Sequence, residues 1–256
     1  MGNYYFLAAS LPTLTLGEKP DLSFEELTSR FKINLTQEDY EKTVTFRRYI
    51  DITNIRFLFL EESIDPRGNL SEKDLDEALL LKDALPSYVF DFLDQFESVD
   101  DKLKYFSGIY SIFFQEEIKK ATGFLKAYFE FERSWKLVML ALRAKEQNRD
   151  LTRELQFENF SDPLVAQILA QKDVSQYDPP LEYVDLKEKY LSCGTDPWQK
   201  YKAVAQWRLG RLEELVDKPV FSIDWILSYM ARLLIVEDYN ALDEAKGKMI
   251  LDAFVS

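Results

Sequence analysis

The sequence predicts an all-α protein whose repeated helical modules pack as an elongated or funnel-shaped bundle. Helix-start signals recur along the chain, and the 256 residues include only 8 glycines and 9 prolines. The run at residues 46–60 is also repeated imperfectly at 131–143, with Asp51 and Glu132 at equivalent positions. Two copies of such a run indicate a helical module that is used more than once.

The first predicted helices begin at hydroxyl residues. Ser23 and Thr36 each stand three positions before an acidic residue, as in a capping box. After Thr36, apolar residues at helical spacing continue for about six turns. The β-branched residues within 43–46 make this stretch the one where a strand is the strongest alternative to a helix. The apolar residues 1–12 have no Lys or Arg before them, so we expect them to pack into the fold rather than to form a secretory leader.

A turn is predicted at residues 65–69, which contain a proline and a glycine. A helix should restart at Ser71 and end at Pro86. The turn differs from a calcium-binding loop, since Arg67 and Leu70 occupy positions where that loop needs an acid or Asn and then Gly. We therefore interpret the turn as structural.

Residues 88–149 are nearly all helix formers and aromatics, with a boundary expected at Asp100 and Asp101. Two apolar stripes at helical spacing are predicted to lie in the core, since such stripes are more often core than a ligand site. Their members are Phe106, Ile109, Tyr110 and Phe113, followed by Tyr128, Phe131, Trp135, Val138, Met139 and Leu142.

Later helices are predicted where Pro163 and Pro197 each follow an aspartate, because proline is favoured in the first helical turn. A linker is expected at 171–182, and a last helix should begin near Ser222. The chain then divides into modules at 1–86 and 87–172, with a linker and a shortened third module at 173–256.

The formal charge is −13, which repels nucleic-acid phosphates and argues against nucleic-acid binding. Histidine is absent, so triads, zincins and other histidine-dependent chemistries are excluded. A single cysteine, Cys193, forms no internal disulfide and fits a reducing compartment. No glycine loop of the kind that binds nucleotide phosphates is present. We therefore expect no catalytic residue, no cofactor and no metal.

One acidic series allows an alternative. Asp91, Asp94 and Glu97 recur at every third residue and could hold Mg²⁺ against a diphosphate on one helix flank. The chain offers no second acidic wall with a basic residue for the diphosphate. A solvated helix face is the more common meaning of such a series, so a Mg²⁺-dependent helical enzyme ranks third among the functions considered.

The repeated run resembles the module of a central-stalk protein of V-type and A-type ATPases, designated C in bacteria and archaea and d in eukaryotes; we call these proteins the C/d stalk family. That module has an Asp, an Asn three residues later, and an apolar run that ends in Arg. The matching positions are Tyr49, Asp51, Asn54, Ile55 and Arg56 in the first copy, and Glu132, Trp135 and 141–145 in the second. The segment 221–229, ending in Tyr229 and followed by Glu237, is similar to the last module of that family.

The opening residues 3–12 resemble a bacterial group, found in Chlamydia and Bacteroidetes, that is similar to the C/d stalk family and encoded among V-type ATPase genes. The resemblance implies a non-catalytic component that couples the rotor shaft to the membrane proteolipid ring. Its partners would be the other central-stalk proteins and that ring, on the cytoplasmic face of the membrane, with no nucleic acid and no small-molecule substrate. The alternative is a stand-alone helical module that binds other proteins.

Six positions are predicted to have structural roles in the modules: Tyr49, Asp51, Asn54, Glu132, Trp135 and Tyr229. Asp51 and Asn54 lie on adjacent turns of one helix face, where they could bond a neighbouring helix end or hold the turn of the module. Four arginines are candidates for partner contact: Arg47, Arg48, Arg56 and Arg143. A solvated helix face is the simpler interpretation of the first three.

Overall fold

Every regular element in the described part of the chain is helical. The computed structural model describes residues 4–216 and 220–242, and within these ranges it contains no strand. The all-α prediction is therefore confirmed. In chain order the α-helices are α1 (Tyr5–Ala9), α2 (Phe24–Asn34), α3 (Gln37–Phe59), α4 (Glu72–Leu81), α5 (Ser87–Leu93), α6 (Val99–Lys104), α7 (Ser107–Lys120), α8 (Gly123–Glu146), α9 (Leu151–Glu154), α10 (Pro163–Ala170), α11 (Val184–Ser192), α12 (Pro197–Glu214) and α13 (Ile223–Ala241), with a 3-10 helix at Leu181–Tyr183 before α11.

Side-chain caps set the starts of several helices. Ser23 and Glu26 form a reciprocal capping box at α2, and Ser71 accepts from the Asp74 amide at α4. Ser222 accepts from the Trp225 amide, so α13 begins where the sequence predicted. At α10 and α12 an aspartate caps the helix and a proline occupies the first helical position. The helix starts predicted from these Asp-Pro pairs are therefore confirmed.

The chain divides into two compact units. Unit 2 is the continuous segment 37–178, and unit 1 combines 1–36 with 179–256. This division is based on packing, whereas the predicted modules are based on repeats in the sequence. Its boundaries differ from those of the modules at 1–86, 87–172 and 173–256. The three modules stay a prediction about repeats in the sequence.

In unit 2 the long helix α8 packs against α7, α9 and α10, and α7 packs in turn against α3 and α5. Aromatic residues fill the core. The rings of Tyr49, Phe114 and Phe129 all lie within 5.5 Å of the fully buried Phe113 ring, centroid to centroid. The predicted stripe on α8 is buried from Tyr128 to Leu142, so its assignment to the core is confirmed.

In unit 1, α13 packs against α2 and α12, and α12 packs against α11. Three aromatic rings stack where α12 meets α13, with centroids 5.1 Å apart for Trp198 and Tyr239 and 6.1 Å apart for Tyr201 and Tyr239. The start of the chain also packs, since Leu7 is buried and the Tyr4 amide donates to the Phe221 carbonyl. The expectation that this segment joins the fold is confirmed for Tyr4, Leu7 and Ala8, which are buried, whereas Tyr5 and Phe6 are exposed.

Two predicted boundaries need correction. Asp100 and Asp101 lie within the first turn of α6 and do not end a helix; the break comes before them, because Ser98 caps α6. Pro86 does not end α4, which stops at Leu81 where Lys82 adopts a left-handed conformation; Pro86 instead precedes α5. The stretch 43–46, where a strand was the strongest alternative, is helical and lies inside α3, so the predicted helix is confirmed there.

Candidate functional site

Asp51 on α3 holds the turn between α3 and α4. Asp51 Oδ1 accepts from the Asn69 amide at 2.5 Å and from the Leu70 amide at 3.1 Å. Its Oδ2 accepts from the side-chain amide of Asn69 at 2.6 Å. Asp51 is 2% exposed. Its carboxylate therefore takes the place of water as the acceptor for three donors of the turn that would otherwise be buried without one.

Asn54, one helical turn further along α3, bonds the beginning of the same turn. Its Nδ2 donates to the Asp65 carbonyl at 2.9 Å, and its Oδ1 accepts from the Asp65 amide at 2.8 Å. Gly68 lies so close that a Cβ placed there would be 2.6 Å from Asp51 Oδ1 and 2.9 Å from Asn54 Nδ2. The turn therefore needs glycine at this position for lack of space. Of the two roles considered for Asp51 and Asn54, these contacts correspond to holding the turn.

Arg47 completes this turn from the preceding turn of α3. Its Nε donates to the Arg67 carbonyl at 2.9 Å, and a terminal nitrogen donates to the Gly68 carbonyl. Burial lowers the pKa of Arg47, and the charge of Asp51 opposes that effect. Arg47 is thus bound inside unit 2.

Two aspartates in this region have pKa values that shift in opposite directions. Burial raises the pKa of Asp51, and the hydrogen bonds from Asn69 and Leu70 offset only part of that effect. Burial also acts to raise the pKa of Asp65, but the hydrogen bonds and charge of Arg67 outweigh it and lower the value. The ionised form of Asp65 therefore stabilises the turn, while ionising Asp51 carries a desolvation cost.

We expect Asp65→Asn to lower stability only where Asp65 is ionised in the wild type. Because the folded-state pKa of Asp65 is lowered, its contribution is present above the unfolded pKa of about 3.9 and is lost as the pH falls through the folded value. The variant should be less stable by roughly 1 kcal/mol at pH 7, and the difference should vanish once the pH lies below the lowered folded-state pKa of Asp65. Urea unfolding across this pH range measures the difference, and Asp76→Asn, at an exposed site on α4, is the control. A gap that stays constant with pH would contradict the assignment.

A second buried polar group in unit 2 involves Arg48. Its NH1 donates to Glu117 Oε1 at 2.9 Å, and the Tyr88 hydroxyl donates to the same oxygen at 2.9 Å. Glu117 is 2% exposed, and it ties α3 and α5 to α7. Burial raises the pKa of Tyr88, and the negative charge of Glu117 raises it further.

A third group joins positions from the two predicted repeats. Lys136 Nζ binds Glu132 Oε2 at 2.7 Å and lies 4.4 Å from the centroid of the Tyr49 ring and 5.5 Å from that of Trp135. A cation over an aromatic face is favourable, more so when it is partly desolvated. Tyr49, Glu132 and Trp135 thus meet around Lys136.

The remaining predicted position, Tyr229, belongs to unit 1. It is buried on α13, its ring stacks with that of Trp225, and burial raises its pKa to about 12. Further along α13, Glu237 Oε1 accepts from the Phe24 amide at 2.7 Å. This acid therefore binds a free amide in the first turn of α2, where a helix favours negative charge.

Comparison with known proteins gives a family for the whole chain. Residues 1–256 match the family described as "Protein of unknown function (DUF2764)". The chain belongs to the DUF2764 family. No solved structure matches it.

Chlamydial proteins resemble this DUF2764 chain along almost its whole length. A protein of Chlamydia trachomatis is 25% identical over 258 aligned residues, which cover 98% of this chain and 97% of the relative. One of Chlamydia pneumoniae is 26% identical and one of Chlamydia muridarum 24% identical, with the same coverage. Each carries the description "Uncharacterized protein".

The four candidate arginines of the DUF2764 chain have different surroundings. Arg47 and Arg48 are bound within unit 2, whereas Arg56 on α3 and Arg143 on α8 are exposed. Partner contact by these arginines stays a prediction.

The acids considered for Mg²⁺ do not follow one helix in the DUF2764 fold. α5 ends at Leu93, and Asp94 pairs with Lys82 at 2.5 Å. Across residues 4–216 and 220–242, no group of three or more His, Cys, Asp or Glu side chains is placed to hold a metal ion. Over the same ranges, no helix has the length and apolar character needed to cross a membrane.

Several residues that organise these sites escaped the sequence analysis. Lys136 stands four positions after Glu132, a helical salt-bridge spacing that could have identified it. The partners Arg48 and Glu117 are 69 positions apart, so no local pattern connects them. Asn69 lies inside the predicted turn, but nothing in its neighbours indicates that its side chain binds Asp51.

Proposed function

We propose that this chain is a non-catalytic component of a V-type or A-type ATPase or ATP synthase. By its resemblance to the C/d stalk family, it would connect the central stalk to the membrane proteolipid ring. The proposal depends on the module pattern in α3, in which Asp51 and Asn54 occupy the positions that carry the resemblance.

The contacts of that pattern support a mechanical role. Asp51 and Asn54 together accept or donate five hydrogen bonds to residues 65–70, and they fix the connection from α3 to α4. A connector that transmits torque needs helices that do not move against one another. Close-packed aromatic cores and satisfied buried polar groups supply such rigidity.

The buried charges described above are bonded within their own units. Asp51, Glu117 and Glu132 each form a hydrogen bond with another residue of unit 2, namely Asn69, Arg48 and Lys136. Protein binding would then fall to the surface, where Arg56 and Arg143 are exposed. Arginine is frequent in protein interfaces because its planar group forms several directed hydrogen bonds.

Affinity purification of the tagged protein from cells that produce it naturally tests the proposal. After mild detergent extraction, we expect central-stalk and proteolipid subunits to be recovered in a fixed ratio. Recovery of other proteins without any ATPase subunit would contradict the proposal and favour the stand-alone binding module. A gain in melting temperature with Mg²⁺ and a diphosphate would instead favour the helical enzyme.

Charge reversal at the exposed arginines refines this test. Arg56→Glu and Arg143→Glu should each lower the recovery of ATPase subunits several-fold without changing the melting temperature. Lys126→Glu is the matched control, since Lys126 is 50% exposed on the same helix as Arg143 and the change in net charge is the same. Equal loss in all three variants would indicate a nonspecific charge effect rather than contact at these arginines.

A further inference from the structure

A surface cleft of about 350 Å³ lies in unit 2, and its wall comes from the end of α6, the start of α7 and residues 153–156. This volume falls at the lower end of the range for ligand-binding clefts, roughly 300–1,000 Å³. Every residue that lines it has a polar or charged side-chain group: Lys104, Tyr105, Ser107, Arg153, Glu154 and Gln156. The cleft therefore suits a charged or polar ligand rather than an apolar one.

Two cations at this cleft have no carboxylate partner. Lys104 and Arg153 are both exposed, and neither forms an ion pair with any residue that the structure describes. Glu154, the acid among the lining residues, is already paired with Arg149 at 2.8 Å. The cleft thus has two positive charges that an anion from solution can reach and neutralise.

An aromatic platform holds the ammonium group of Lys104 at the cleft. Lys104 Nζ lies 4.8 Å from the centroid of the Tyr105 ring, a favourable position for a cation. The Tyr105 ring stacks with that of Phe96 at 5.3 Å and meets the Phe157 ring edge to face at 6.1 Å, centroid to centroid. Because the platform is packed against two other rings, Lys104 loses less conformational freedom when it binds a ligand.

The donors of the cleft match a phosphate group better than a carboxylate. Two cations balance a phosphomonoester, which carries a charge of about −1.5 to −2 at pH 7, whereas a carboxylate carries a single charge. Arginine can donate two parallel hydrogen bonds to phosphate, and lysine binds it as a point charge. Ser107 and Gln156 add uncharged donors. The net charge of −13 acts weakly here, because charges more than about 8 Å away are largely screened at physiological ionic strength.

We propose that this cleft binds a phosphomonoester group through Lys104 and Arg153. Small organic phosphates and the lipid phosphatidic acid both carry this group. The site is independent of the proposed ATPase role, because none of its residues carries the resemblance to the C/d stalk family or belongs to the four candidate arginines.

Ethyl phosphate and propionate form a suitable pair of soluble probes. Both have an ethyl group, which bears a phosphomonoester in the first and a carboxylate in the second. NMR titration at constant ionic strength should show saturable shifts of the backbone amides at 104–107 and 153–156 with ethyl phosphate. We expect propionate to bind at least about fivefold more weakly, the size of effect expected from one hydrogen bond. Equal affinity for the two probes would overturn the selection of phosphate.

Vesicles distinguish the two sources of the phosphate group. If a lipid supplies it, the protein should sediment with phosphatidic acid vesicles and remain in solution with phosphatidylglycerol vesicles of matched surface charge, since the latter lipid is a phosphodiester. If a small molecule supplies it, ethyl phosphate should bind and neither type of vesicle should sediment the protein. Failure to bind both ethyl phosphate and phosphatidic acid vesicles would overturn the site.

Removal of single charges at the cleft provides the second measurement. Lys104→Gln and Arg153→Gln should each weaken the binding of ethyl phosphate, or of phosphatidic acid vesicles where these bind instead, at least about fivefold. Both side chains are exposed, so the melting temperature should change little. Lys73→Gln is the matched control, since Lys73 is exposed on α4 outside the cleft and the change in net charge is the same. Unchanged affinity in both cleft variants, or an equal loss in Lys73→Gln, would overturn the proposal.

Discussion

We expect Asp51→Ala to lower the free energy of unfolding by about 3 kcal/mol, because the substitution leaves three donors of the turn without their acceptor. A loss of this size corresponds to a fall in melting temperature of roughly 6 to 12 °C. Differential scanning calorimetry or urea unfolding measures it directly.

Glu41→Ala is the matched control for this prediction. Glu41 is an exposed acid on the same helix, and its hydrogen bond is to Gln37 on the helix surface. Its removal should change stability by less than about 0.5 kcal/mol. Asp51→Ala should lower the melting temperature more than it lowers the amount of ATPase subunits that the folded variant recovers. An unchanged melting temperature together with lost assembly would mean that Asp51 contacts a partner rather than the turn.

We expect Glu117→Ala to be of similar severity, lowering the free energy of unfolding by about 3 kcal/mol. The substitution removes the shared acceptor of Arg48 and Tyr88, and it leaves a partly buried cation without its partner. Glu117→Gln keeps an acceptor oxygen but loses the negative charge, so it should cost roughly half as much.

The neighbouring Glu116 provides the control for Glu117. Glu116 bonds Lys119 at the surface of the same helix, and Glu116→Ala should have little effect on urea unfolding. If Glu116→Ala and Glu117→Ala destabilise the protein equally, the buried contact with Arg48 and Tyr88 does not have the importance assigned to it.

The sequence predicted the helical fold because the signals for it are local. A serine three residues before an acid marks α2 and α4, and proline after aspartate marks α10 and α12. The spacing of apolar residues on α8 also identified the face that is buried. These features depend on neighbours within one or two helical turns.

The errors came where tertiary contacts or single residues decided the outcome. The acids at 100–101 suggested a break, yet the cap at Ser98 places them at a helix start, where acids are favoured. The short helix α1 and the helix α11 were not predicted; α11 follows a 3-10 turn and has no side-chain cap at its start. Such elements depend on packing that local patterns do not encode.

The polar sites were predictable only in part. The spacing of Asp51 and Asn54 on one face of α3 indicated a shared role, and the alternative of holding the turn matches their contacts. The pairing of Arg48 with Glu117 could not be foreseen, since it depends on how α3 packs against α7. Arg48 was for that reason grouped with surface arginines, although it is bound inside unit 2.

Ion transport in native membrane vesicles tests the central claim most directly. ATP hydrolysis and ATP-driven ion transport are measured in vesicles from cells with and without the protein, and again after the purified protein is added back. The proposed coupling role predicts that removal lowers the number of ions moved per ATP hydrolysed and that addition of the protein restores it. An unchanged ratio of transport to hydrolysis after complete removal would contradict the claim.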